Sequence, residues 1–163
     1  MESVSGPRDQ AAVCRESFAP WVARWRAADW PSVRRPYIGL ANVVLRQHRD
    51  PRRALEFLEQ VGTSKRPLGP ELRDEYWALK AWALAESGQT SEVAPAIENA
   101  FRYTPQSKPG VAFTCYNAGM AMLAMGEEAK AREYFQRARK SDPEGRWGKL
   151  AKEALGERSV FRV

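Results

Sequence analysis

The fold of this 163-residue chain is decided by one stretch, residues 111–143, which read VAFTCYNAGMAMLAMGEEAKAREYFQRARKSDP. Apolar residues recur at helical spacing on both sides of Gly126, and small residues stand among them. Gly126 follows an apolar helical run and comes just before the next helix, where a residue that is free to adopt positive φ closes one helix and turns into another. The stretch therefore predicts two helices joined by a tight turn.

Landmarks of this unit recur earlier in the chain at a constant offset. Gly126, Ala138 and Pro143 each lie 38 residues after a residue of the same type, namely Gly88, Ala100 and Pro105. Three matches at one offset indicate a duplicated unit.

Helical spacing extends along nearly the whole chain, without the Val, Ile and Thr alternation of strands, so the predicted fold class is all-α. Asp50-Pro51 and Asp142-Pro143 each pair an N-cap carboxylate with a proline at the first helical position, and Thr90 has a similar role. The sequence predicts a loop at Gln106–Gly110, which contains Pro109 and Gly110. The predicted helices lie at about 9–19, 20–28, 32–48, 51–61, 70–87, 91–103, 111–125, 127–141 and 144–155.

The repeated unit resembles the tetratricopeptide repeat over about Arg35 to Pro143. The last copy has Tyr116-Asn117-Ala118-Gly119, Gly126, Ala131, Tyr134-Phe135, Ala138 and Asp142-Pro143 at matching positions. The copy before it has Trp77, Ala81, Gly88, Ile97, Ala100 and Pro105. An earlier, weaker copy has Ala54 and Leu58, with Asn42 at the small-residue position and Arg49 in place of the turn glycine.

This resemblance implies a solenoid of about three antiparallel helix pairs within a single domain, 1–163. Helices rich in aromatic residues would precede the repeats, and a capping helix at 144–156 would follow them. Gly119 would let the second helix of its pair approach closely, and Phe135 would fill the neighbouring space. The period is four residues longer than the usual 34, so we expect an insertion, Lys108 to Val111, in the loop between the second and third repeats.

In tetratricopeptide proteins the first helix of each pair lines a concave groove. Carried onto this chain, that rule implies a mainly apolar groove suited to a peptide or an amphipathic helix of another protein. The alternative is that Phe113, Tyr116 and Met120 simply belong to the core. The candidate groove residues are Val43, Arg46, Trp82, Phe113, Tyr116, Asn117 and Met120.

The N-terminal segment differs from the repeats. Phe18, Trp21 and Trp25 share one helical face, and Arg24 lies among them. Two interpretations stay open. Residues 1–30 form a cap that covers the first repeat, or Trp21, Trp25 and Arg24 form a docking surface for a partner.

The net charge of +6 bears on the partner. Clustered basic residues near the end of the chain could steer an acidic partner; they are Arg137, Arg139, Lys140, Arg146 and Lys149. The function predicted is a non-catalytic protein-interaction module or adaptor. The alternatives are a chaperone like the small tetratricopeptide chaperones of type III secretion, and nucleic-acid binding through the basic ends and the N-terminal tryptophans.

Several classes of site lack sequence support. The two cysteines, Cys14 and Cys115, form no Cys-x-x-Cys motif, so we expect reduced thiols and no zinc site. No phosphate loop or nucleophile with a base is recognisable, so we expect neither enzyme activity nor a cofactor or metal. Without a signal-like or membrane-spanning stretch, the cytoplasm is the expected location. The oligomeric state is left open.

Overall fold

The computed structural model describes residues 34–63 and 67–157, nearly all of which belong to Arg35–Val163, one of the two units into which the chain divides. These residues form helices, without a strand among them, so the all-α prediction is confirmed for this part of the chain. The helices are α1 (Arg34–Val43), a π-helical turn (Val44–His48), α2 (Pro51–Gly62), α3 (Pro70–Glu86), α4 (Thr90–Tyr103), α5 (Lys108–Ala124), α6 (Glu128–Ser141) and α7 (Arg146–Glu157).

The helices pack as successive pairs. α4 packs against α3, and α6 packs against α5, while the first helices α3 and α5 also contact each other. α7 then packs against both α5 and α6, as expected of a capping helix. The predicted solenoid of helix pairs is thus confirmed in the part of the chain that the structure describes.

The turn within each pair has a left-handed residue. Gly88 and Gly126 both have a φ of 77°, which only glycine adopts without a steric cost. Arg49, at the corresponding position of the weak first copy, has a φ of 51°. The first pair therefore also has a left-handed residue in its turn without a glycine, but its first helix ends in a π-helical turn in which the N–H of Asp50 donates to the carbonyl oxygen of Val44.

Close packing within the last pair depends on Gly119. A Cβ atom at this position would lie only 2.6 Å from Cε1 of Phe135, which is fully buried. The alanines on the second helices, Ala100, Ala131 and Ala138, are buried too. The predicted role of the small residue is confirmed, because no larger side chain fits between α5 and α6.

The four residues predicted as a loop insertion, Lys108 to Val111, belong to the helix α5 instead. α3 and α5 each contain 17 residues, and Lys108 begins α5. Ser107 caps this helix by accepting a hydrogen bond from the N–H of Gly110, so Pro109 and Gly110 lie in its first turn. The predicted loop is thus confirmed for Gln106 and Ser107 and wrong for residues 108–110, since proline is well tolerated in the first turn of a helix.

Three other helix starts or continuations also differ from the prediction. The expected helix 32–48 changes to a π-helical turn after Val43, and the N-cap of α4 is Gln89 rather than Thr90. Asp142-Pro143 does not begin α7, because the N–H of Gly145 donates to the Asp142 carbonyl at 3.2 Å and closes a turn before Arg146. Asp50 behaves as predicted and accepts a hydrogen bond from the N–H of Arg53 at 3.1 Å.

Cys115 belongs to the core of this unit. It is a free, fully buried thiol, and burial raises its pKa. A buried thiol with a raised pKa is a poor nucleophile, so its role is packing. Cys14 lies outside the described residues.

Candidate binding site

A cleft of about 660 Å³ opens between the first helices of the three pairs. α1, α3 and α5 line it, and the end of α4 and the start of α7 complete its wall. We call it the central cleft, and its main side chains are Ile38, Asp74, Glu75, Leu79, Phe113 and Trp147. A cleft on this face lies where the resemblance expects a groove.

One wall of the central cleft is acidic. Glu71, Asp74 and Glu75 are one helical turn or less apart on α3, and all three line the cleft. Asp74 is only 5% exposed, while Glu75 is half-buried. Carboxylates that lose water without gaining a cation are costly, so their surroundings determine how readily they ionise.

The two deeper carboxylates both have raised pKa values. Burial raises the pKa of Asp74, against an opposing effect from the backbone N–H groups of Asp74 and Glu75. Burial and then the charge of Asp74 raise the pKa of Glu75, whereas Arg35 acts in the opposite direction. Within the described part of the chain, neither carboxylate forms an ion pair with a basic side chain.

The remainder of the central cleft is apolar and aromatic. The Phe113 and Trp147 rings meet edge to face, with their centroids 4.8 Å apart. Ile38 and Leu79 add buried aliphatic surface from α1 and α3. This combination of a few carboxylates with a rigid apolar floor is typical of a site that binds a side chain of matching shape and charge.

Beyond the cleft, the side chain of Arg46 fills the space between the first helices. Its guanidinium carbon lies 5.5 Å from the ring centroid of Trp82, 4.7 Å from that of Tyr116 and 4.4 Å from that of Trp147. We call these four residues the Arg46 cluster. Because cations are attracted to aromatic ring faces, the cluster joins the first, second and third pairs to α7.

Two asparagines orient Arg46. Nε of Arg46 donates to Oδ1 of Asn42 at 2.7 Å, and Nη2 donates to Oδ1 of Asn117 at 3.4 Å. Nδ2 of Asn117 in turn donates to the carbonyl oxygen of Phe113 at 2.8 Å. Asn117 is thus a buried polar residue with partners on both sides, and desolvation lowers the pKa of Arg46.

The residues predicted for the groove occupy different environments. Val43 is 42% exposed, whereas Trp82 is 1% exposed and Phe113, Tyr116, Asn117 and Met120 are buried. Trp82 also donates from Nε1 to Oε1 of Glu86 at 3.0 Å. The structure brings Arg46, Trp82, Tyr116 and Asn117 together, although their contact with a partner stays a prediction. Trp21, Trp25 and Arg24 lie outside the described residues.

Sequence reasoning missed two contributors to the cleft. The spacing of Glu71, Asp74 and Glu75, at i, i+3 and i+4, signals an acidic face on a helix and could have identified the acidic wall. Trp147 belongs to the predicted capping helix, and nothing local to it indicates contact with Arg46.

The basic residues near the end of the chain are exposed on α6 and α7. Arg137 lies over the stacked rings of Phe101 and Tyr134, and Arg146 lies over Trp147. Lys149 forms an ion pair with Glu144 at 3.9 Å. Steering of an acidic partner by this surface stays a prediction.

The described residues lack the features of a metal site and of a membrane span. They contain no group of three His, Cys, Asp or Glu side chains arranged to hold a metal ion. None of their helices has both the length and the apolar character that a membrane span requires.

Comparison with known proteins identifies one segment. Residues 112–144, which cover most of α5, all of α6 and the turn after it, match the model of the family described as Tetratricopeptide repeat. The resemblance to the tetratricopeptide repeat that the sequence indicated is therefore confirmed over this segment. The searches of curated proteins and of solved structures gave no match.

Proposed function

We propose, from the premise that residues 112–144 are a tetratricopeptide repeat, that this chain is a non-catalytic interaction module that holds a segment of another protein in its central cleft. Repeats of this family are in general protein-binding rather than catalytic. The single observation that supports the proposal is the cleft itself, because it lies between the first helices, on the face that such repeats use for binding.

The dimensions and walls of the cleft favour an extended peptide or one turn of a helix. A volume of about 660 Å³ is in the range of ligand sites and accommodates a few side chains rather than a whole helix. Trp82 and Tyr116 are buried in the Arg46 cluster and do not line the cleft, so we expect them to support its walls rather than to contact the partner. Of the candidate groove residues, Phe113 is the one that lines the cleft.

Of the alternatives, nucleic-acid binding is disfavoured at this site because three carboxylates would repel phosphate groups. The tryptophans on which that alternative depends lie outside the described residues. The roles of adaptor, scaffold or secretion-type chaperone are refinements of the same binding function, and the cleft favours none of them over the others.

The test uses glycines that have free space around them. Random peptides displayed on phage are selected on the full chain and then measured on Gly39→Trp, which places a large ring in the cleft, where a Cβ atom meets nothing within 4 Å. Gly156→Trp is the matched control, because Gly156 is equally free of neighbours and lies outside the cleft.

We expect the selected peptides to lose about tenfold or more in affinity for Gly39→Trp and to bind Gly156→Trp like the wild-type chain. Peptides that bind all three proteins equally, or a selection that yields no binding peptide, would refute the proposal.

A further inference from the structure

We infer that the central cleft recognises a basic side chain, arginine or lysine, carried by the bound segment of the partner protein. This inference rests on the proposed function and specifies the chemistry of the segment. Its first basis is the acidic wall, where Asp74 and Glu75 face the cleft from adjacent positions on α3.

The burial of Asp74 is a second observation that supports the inference, separate from the presence of the acidic wall. Its side chain is more than nine-tenths buried, lines the cleft and has no basic partner among the described residues. A buried carboxylate without a counter-ion destabilises the fold, and a cation that enters the cleft removes this cost. The charge missing from the site is therefore positive.

Two arginines of the described residues, Arg35 and Arg46, do not supply this charge. Arg35 is close enough to lower the pKa of Glu75, but it is exposed and forms no ion pair with Glu75 within the described part of the chain. The side chain of Arg46 lies instead in the Arg46 cluster, where it donates hydrogen bonds to Asn42 and Asn117. Among the described residues, no basic side chain thus occupies the carboxylates of the cleft.

The aromatic floor suits the same ligand. Trp147 already lies 4.4 Å from the guanidinium carbon of Arg46 in the neighbouring cluster, and it also lines the cleft beside Phe113. Because Arg46 and Arg146 already lie over the Trp147 ring, a bound guanidinium or ammonium group would contact Phe113, where cation–π attraction would add to charge pairing with the acidic wall. An aliphatic stem would pack against Ile38 and Leu79.

The experiment measures the selected peptides on a charge variant, Asp74→Asn/Glu75→Gln. Glu92→Gln/Glu133→Gln has the same net charge but changes exposed residues outside the cleft, on α4 and α6, and is the matched control. For each peptide that contains arginine, a second version has citrulline at that position, which is neutral and nearly the same shape.

We expect the peptides that are sensitive to Gly39→Trp to share a basic residue. Their affinity should fall by about tenfold or more with the charge variant or with citrulline, and should stay within about twofold of wild type with the control. Peptides that are sensitive to Gly39→Trp but lack a basic residue, or that bind the charge variant as well as wild type, would overturn the inference and leave the proposed function standing.

The wild-type chain and the same variants also distinguish two other possible occupants of the cleft, an acidic peptide and a second copy of the chain. Selection of acidic peptides in the cleft would overturn the inference. Self-association of the chain that Gly39→Trp abolishes would also overturn it, because the occupant would then be a second copy. Peptides insensitive to Gly39→Trp refute the proposed function itself, so the two failures are distinguishable.

Discussion

The guanidinium carbon of Arg46 lies 4.4 Å from the ring centroid of Trp147, although 100 residues separate the two in the chain. Arg46 belongs to the π-helical turn of the first pair, and Trp147 belongs to α7. Their contact connects the first helix pair to α7. Helix stacking and groove shape therefore depend on the same side chain.

Replacement of Arg46 tests this dependence. We expect Arg46→Ala to lower the free energy of unfolding by about 1–2 kcal/mol, because the rings of Trp82, Tyr116 and Trp147 lose a desolvated cation and its packing. Arg52→Ala, at an exposed position of α2, is the control and should change it by less than about 0.5 kcal/mol. Urea denaturation measures both, and equal midpoints for the two variants would show that the cluster does not stabilise the fold.

The left-handed conformation of Arg49 leads to a stabilising substitution. We expect Arg49→Gly to raise the free energy of unfolding by about 0.5–1 kcal/mol, because glycine adopts a φ of 51° without the steric cost borne by arginine. The ion pair with Glu86, at 3.9 Å and largely exposed, contributes little that could be lost. Arg49→Ala, which removes the same charge but retains a Cβ atom, should not be stabilising. A thermal melt in which alanine and glycine behave alike would contradict this explanation.

Gly119 should tolerate no side chain. Because a Cβ atom there would lie 2.6 Å from Phe135, we expect Gly119→Ala to lower the free energy of unfolding by about 1–3 kcal/mol. Gly39→Ala, inside α1 with free space around it, should instead be stabilising by about 0.5–1 kcal/mol. The two substitutions add the same methyl group to a helix, so chemical denaturation should give opposite signs. A shift of the same sign in both would mean that helix propensity rather than packing decides the outcome.

The acidic wall predicts a pH dependence of stability. The raised pKa of Asp74, whose usual value is 3.8, means that the folded chain binds its proton more tightly than the unfolded chain does. The free energy of unfolding therefore falls as the pH rises from the usual value through the raised one, and the loss persists at neutral pH. Asp74→Asn lacks this titration and also relieves the repulsion of Glu75. We expect the variant to be stabilised relative to wild type at pH 7 and much less so at pH 3, in the same buffer series.

The control for this titration is Glu133→Gln, an exposed position of α6, which should alter stability little at either pH. If Asp74→Asn gained as much stability at pH 3 as at pH 7, ionisation of Asp74 would not be the source of the effect.

Much of the architecture could be predicted from local patterns. The turn glycines Gly88 and Gly126 and the approach of α6 to Gly119 depend on residues close together in the chain, so their spacing was sufficient to predict them. Helix starts were predicted less well, because Ser107 caps α5 ahead of the prolyl-glycine pair, and a turn delays α7 to Arg146. Competing hydrogen bonds of similar strength decide such boundaries.

The sequence by itself determined that the chain forms helix pairs with close-packed small residues, because helical periodicity and turn chemistry act over a few neighbouring positions. Only the tertiary structure decided that Arg46 meets Asn117 and Trp147, and that Asp74 is buried against an open cleft with no cation paired to it among the described residues. Those relationships depend on the angle at which successive pairs stack. Many weak contacts between distant residues set this angle, so no single position in the sequence indicates it.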